Sequence, residues 1–220
     1  MRALELLSET VPALKTSDTG AHALRLMSDY HVRHLPVVSG QQLLGLISEE
    51  EILNTHGEEE LIGHLPVTMQ RPFVRDNEHA FEVIKLAAQF RLSVVPVIDQ
   101  HDTYVGAITR DELLQYLAAE TDILEPGAVI VMDINLNDYT LSEVARILES
   151  VNTKILASFT RTHADTNKIE LTVKINQTQL QPVITALNRY NYVVKESFVE
   201  PEYFDNLKER YDSLMNYLNI

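Results

Sequence analysis

His34-Leu35-Pro36-Val37-Val38, a short polar turn, then Gly45-Leu46-Ile47-Ser48-Glu49-Glu50-Glu51-Ile52-Leu53: the chain says this twice. The second copy is Val94-Val95-Pro96-Val97-Ile98, another polar turn, then Gly106-Ala107-Ile108-Thr109-Arg110-Asp111-Glu112-Leu113-Leu114. Each copy reads as strand, hairpin turn, strand and the start of a helix. Pro36 and Pro96 are 60 positions apart, Gly45 and Gly106 61. The extra residue therefore belongs in the second hairpin turn. Inside a strand it would swap the buried and exposed faces.

Upstream the offset persists. Pro12 matches Pro72, Asp18 matches Glu78, Leu24 matches Ile84 and Tyr30 matches Phe90. Two copies are too few for a solenoid. They can instead close on each other about a pseudo-twofold axis, each covering the other's apolar sheet face and leaving two related clefts.

Apolar-Pro-Val, a hairpin, then Gly-apolar-apolar-Ser/Thr-x-x-acid resembles the CBS domain, and two copies in register resemble a CBS pair, over roughly residues 1–120. The resemblance implies clefts that bind adenine-containing ligands such as AMP, ATP or S-adenosylmethionine. By position it assigns the hydroxyls to Ser48 and Thr109 and the ribose carboxylates to Glu51 and Glu112. An ionised carboxylate can accept both hydrogen bonds of a vicinal diol. The family usually has Asp there, and both copies here have Glu. A second reading of the same residues stays open: Ser-Glu-Glu-Glu and Thr-Arg-Asp-Glu are both capping-box strings, closing the helices that follow. Arg33 and His34 precede the first strand and can meet a phosphate; the second copy has Ser93 and Val94 there. His31 and His34 share helical spacing without a third partner, so no metal site is expected.

Composition bounds the rest. The 220-residue chain has no cysteine, which excludes disulfides, thiolate metal sites and cysteine nucleophiles. Its net charge of −14 argues against nucleic acid as a partner. The N-terminus lacks a signal-peptide pattern, and no apolar run approaches the roughly 20 residues of a membrane span. A soluble cytoplasmic protein is expected. No Gly-rich phosphate loop, HExxH string or Ser–His–Asp order is present, so no enzyme is expected and no catalytic residue is named.

Along the chain, Ser17-Asp18-Thr19 offers caps for a helix burying Ala23, Leu24, Met27 and Tyr30. Asp76-Asn77 is expected to cap the matching helix, whose apolar positions include Phe81, Ile84, Leu86 and Phe90. A later helix should bury Leu113, Leu114 and Leu117. Glu125-Pro126-Gly127 is a stop. Beyond it come a strand from Val129, a helix through Leu141 and Leu148, and a strand from Ile155. A turn at Ala164-Asp165-Thr166-Asn167 follows. Then come a strand alternating at Ile169, Leu171, Val173 and Ile175, a helix with Pro182 in its first turn, and a strand from Tyr192. The order βαββαβ is the split βαβ, or ferredoxin-like, motif. It resembles an ACT domain, a small-molecule sensing module. Phe204, Leu207, Tyr211, Leu214 and Leu218 mark a final helix.

The expected fold class is therefore α/β (α+β): a CBS pair (repeats at 1–62 and 63–126), an ACT-like domain (127–199) and a C-terminal helix (200–220). The combination is similar to CBS–ACT proteins of the acetoin-utilisation type. It implies a regulatory sensor, homodimeric, acting on a regulated protein. Glu49, Glu50, Glu51, Asp111 and Glu112 crowd the motifs, against Arg33, His34 and Arg110. AMP or S-adenosylmethionine is therefore expected in preference to ATP. The rival is a dimeric interaction scaffold whose clefts are degenerate and ligand-free.

Overall fold

The structure, a computed structural model, describes residues 1–65, 72–163 and 167–199. Two compact units divide the chain, Met1–Leu117 and Ala118–Ile220. The expected C-terminal helix lies outside the described residues, as does most of the turn at Ala164-Asp165-Thr166-Asn167. Among the described residues no helix is long and apolar enough to cross a membrane.

In the first unit the repeat is a repeat of structure. Copy one runs β1 (Leu14–Lys15), α1 (Gly20–Asp29), β2 (His34–Ser39), β3 (Gln42–Ser48) and α2 (Glu49–Asn54). Copy two runs β4 (Val74–Arg75), α3 (Ala80–Gln89), β5 (Val94–Ile98), β6 (Tyr104–Thr109) and α4 (Arg110–Glu120). The sheets have orders β1-β2-β3 and β4-β5-β6. Val37 pairs Gly45 and Val97 pairs Gly106, and each hairpin shifts register just beyond that pair. Next, Val38 pairs Leu43 and Ile98 pairs Tyr104, so the added residue does fall in the turn.

The buried stripes are narrower than the sequence suggests. Thr19 caps α1, its side chain accepting from the His22 amide, but His79 rather than Asp76 or Asn77 caps α3. Ala23 and Met27 are buried on α1, and Val83 and Ala87 on α3, while Tyr30, Phe81 and Phe90 are exposed. On α4 the buried pair is Leu113 and Tyr116, and Leu114 is exposed. Small residues let the helices sit close to the sheets, so larger apolar side chains one position away are turned outward.

The two copies share their cores. Val94 and Ala107 of copy two lie in the core of copy one with Leu35, Val37 and Ile47. Leu46 of copy one lies in the core of copy two with Val95, Val97 and Ile108. The lead-in also crosses over. The Ala3 amide donates to Glu78 O and the Ser8 amide to Ala107 O, and Ala3 and Leu6 are buried in the second core. Residues 58–62 serve α1 in the same way: the Gly20 amide donates to Glu60 O and the Ile62 amide to Asp18 O. Gly106 leaves room for this crossing, since a Cβ there would lie 3.1 Å from the Leu7 side chain.

The second unit holds β7 (Ala128–Asn135), α5 (Leu141–Glu149), β8 (Ile155–His163), β9 (Lys168–Ile175), α6 (Leu180–Arg189) and β10 (Val194–Val199). Its sheet order β10-β7-β9-β8 is antiparallel throughout, the ferredoxin-like arrangement. Alternate residues of β7 and β9, such as Ile130, Met132, Leu171 and Val173, pack against Val144, Leu148, Val183 and Leu187 of the two helices. Gly127 has no room for a side chain: a Cβ there would stand 2.0 Å from Ile175 O.

Candidate functional site

Two adjoining cavities open beside the start of α2, of about 1060 Å³ and about 320 Å³. Both are lined from both repeats. Copy one supplies His34, Ser48, Glu50 and Asn54; copy two supplies Phe90, the residue that ends α3. The smaller cavity adds Leu46, Leu92, Pro72 and Glu51, so apolar side chains share it with two carboxylates, Glu50 and Glu51. The larger adds Arg33, Arg91, Arg110, Ser93 and Glu49. These volumes suit a small-molecule ligand.

The structure brings four of the six predicted site residues, Arg33, His34, Ser48 and Glu51, to these cavities. Thr109 and Glu112 line neither. Both predicted capping boxes form. Ser48 Oγ accepts from the Glu51 amide at 3.1 Å, and Glu51 Oε2 accepts from the Ser48 amide and hydroxyl, each at 2.8 Å. Glu112 Oε2 accepts from the Thr109 amide at 2.7 Å and from its hydroxyl, and the Glu112 amide donates to Thr109 Oγ1 at 3.3 Å. An added methylene lets Glu reach back to its own cap, as the capping box requires.

His34 sits at the junction of the repeats. The Ser93 amide donates to its Nδ1 at 3.2 Å, and Ser93 Oγ stands 3.0 Å from the same nitrogen. The Arg33 amide donates to Ser93 Oγ at 2.9 Å. An amide only donates, so Nδ1 accepts and the ring proton belongs on Nε2. Burial lowers the pKa of this imidazole from its usual 6.5; Glu51 opposes that, and Arg110 and Arg33 add to it. His34 is therefore a neutral hydrogen-bonding group in the cleft rather than a positive charge.

The positive charge comes from arginines. Arg110 donates from Nε to Leu92 O and from Nη2 to Arg91 O, both at 2.6 Å, which ties it to the segment between α3 and β5. Arg91 itself has φ 54°, as its equivalent His31 has φ 53°. Sequence reasoning missed Arg91 and Phe90 as site residues. Their signal was present: they follow the helix of copy two that precedes the paired strands, and that end lies with the motif of copy one along the cavities.

Comparison with known proteins identifies the repeats. A family model described as CBS domain matches residues 3–58 and again 62–119. The chain is 39% identical over 64 residues to the magnesium transporter MgtE of Thermus thermophilus, covering 28% of this chain and 14% of that protein. It is 30% identical over 114 residues to a homoserine O-acetyltransferase of Methanosphaerula palustris, covering 50% of this chain and 22% of that one. The chain thus spans under a quarter of either relative. Among solved structures it resembles a CBS domain pair/ACT domain protein of Thermotoga maritima, with a TM-score of 0.49 and 18% identity, covering 54% of this chain and 98% of the other.

Proposed function

The chain belongs to the CBS domain family, and from that premise we propose that it is a non-catalytic regulatory sensor for an adenine-containing ligand, AMP or S-adenosylmethionine. The cleft beside Ser48 supports this best. Leu46, Leu92, Phe90 and Pro72 give its smaller cavity an apolar wall for a purine, and Ser48 and Glu51, which line the same cavity, would meet the ribose hydroxyls. Arg33 and His34 lie on the wider side, beside Arg91 and Arg110. Thr109 and Glu112 hold the corresponding places in the second repeat. Binding changes the protein's affinity for a regulated partner, which requires the ligand to prefer one of two states. We further propose a cytoplasmic homodimer whose ferredoxin-like unit, from residue 127, is an ACT-like domain, as in acetoin-utilisation-type proteins.

The preference against ATP rests on charge. Glu49, Glu50 and Glu51 line the cleft, and the chain carries −14 overall. Arg91 works the other way and narrows the difference. A specific observation favours the rival scaffold: both capping carboxylates already accept hydrogen bonds from their own caps. A ribose must therefore compete with Ser48 for Glu51.

Calorimetry and melting scans with AMP, S-adenosylmethionine and ATP, without magnesium, decide between them. A ligand at 100 times its Kd stabilises by about 2.7 kcal/mol. AMP should bind more tightly than ATP at low salt, and added salt should narrow the gap. No stabilisation by any of the three would leave the scaffold. Sedimentation at micromolar concentration should show a dimer in either case.

A further inference from the structure

The two repeats are a controlled comparison within one chain, because each position of one cleft has an equivalent in the other. Ser48 corresponds to Thr109, His34 to Val94, Leu46 to Ala107 and Arg91 to His31. The equivalents differ in what they do. His34 is partly exposed and lines both cavities; Val94 is fully buried in the core of copy one. Leu46 and Ala107 are both buried, each in the core of the other copy, and differ in size: the larger Leu46 also lines the smaller cavity. Ser48 lines the cleft, whereas Thr109 is buried at 8% exposure.

Charge divides in the same way. The Arg110 guanidinium belongs to copy two, yet it is bound to the carbonyls of Arg91 and Leu92, on the Ser48 side. Arg33 lines that same cavity. Three arginines thus line one cleft beside its glutamates. Arg91 supplies the third, at a left-handed position where most side chains are strained. Its equivalent there is His31, which carries no permanent charge.

We propose that each chain takes one ligand rather than two, an anionic one, in the cleft of Ser48 and His34, with Arg91 as the residue that selects for its negative charge. This rests on the adenine-ligand reading above and deepens it. The second repeat serves the site by lending Phe90, Arg91 and Arg110, while its own Thr109 and Val94 are buried.

The test is calorimetry of the full chain with AMP and with uncharged adenosine. Asn tolerates the left-handed conformation, so the same replacement suits both equivalent positions. One site per chain is expected. Arg91→Asn should weaken AMP at least five-fold, leave adenosine within two-fold and flatten the salt dependence. His31→Asn should leave AMP binding unchanged. Two sites per chain, or equal losses from both variants, would overturn the inference and leave the adenine reading standing. Equal losses of AMP and adenosine in Arg91→Asn would show that Arg91 only shapes the cleft, which also overturns it. No binding of either ligand by the unaltered chain would bring down both. Unchanged melting curves for the two variants exclude misfolding as the cause.

Discussion

His34 Nδ1 and Ser93 Oγ stand 3.0 Å apart across the seam between the repeats, though 59 positions separate them in sequence. The contact is asymmetric by construction. The equivalent of His34 is Val94, and the equivalent of Ser93 is Arg33. A polar pair therefore occupies one side of the axis and a buried valine the other.

The seam should be acid-sensitive through His34. Burial lowers its folded pKa from 6.5. As pH falls through 6.5 the unfolded chain takes up the proton first. Stability owed to neutral His34 is thus present above that value and is lost as pH falls below it. In His34→Asn an amide oxygen replaces the accepting nitrogen without titrating. Urea melts at about pH 7.5 and about pH 5.5, on either side of the usual His range, should show the variant losing less stability than the unaltered chain. Equal losses would place the acid sensitivity elsewhere.

Ser48→Ala removes the cap of α2 and should cost about 1 kcal/mol. Glu51→Gln keeps a capping-box partner, so stability should change by no more than about 0.5 kcal/mol. If Glu51 also meets a ribose, AMP binding should weaken in that variant while the melting temperature holds. Thermal melts and calorimetry on the two proteins separate capping from ligation.

Gly127→Ala should destabilise the ferredoxin-like unit by about 3 kcal/mol or more, because its Cβ would stand 2.0 Å from a strand carbonyl. Denaturant melts followed by circular dichroism give the figure. A change under about 1 kcal/mol would mean that the end of the β7–β9 ladder yields easily.

A fragment of residues 1–126 should fold on its own, with one cooperative thermal transition. Among the described residues, the two cores of the repeats are built from residues 3–117. A broad, non-cooperative melt would show that the boundary is misplaced.

Much of this was legible in the chain because it is local. The hairpin register follows from the Pro36/Pro96 and Gly45/Gly106 offsets, and the two capping boxes follow from three-residue spacings. The strand order of the second unit follows from its βαββαβ sequence of elements. What escaped was long-range. Nothing near Arg91 in sequence says that it reaches the cleft of Ser48, since that depends on how one repeat turns to face the other. The helix faces were misjudged for a related reason. Phe90 reads as a core aromatic, but the buried stripe of α3 is made of Ala80, Val83 and Ala87. That frees Phe90 to line a cavity.

The crossed lead-in has a consequence for the order in which the protein can assemble. Residues 1–8 are synthesised well before Glu78 and Ala107, whose carbonyls receive the amides of Ala3 and Ser8. Ala3 and Leu6 must therefore wait, apolar and unhoused, until the second hairpin exists. The first repeat can complete its own cap sooner, from residues 58–62. Docking of residues 1–8 should then be the closing step in the folding of the repeats. Until that closing step the second core lacks part of its wall, and a chaperone that shields short apolar segments would find its binding site there.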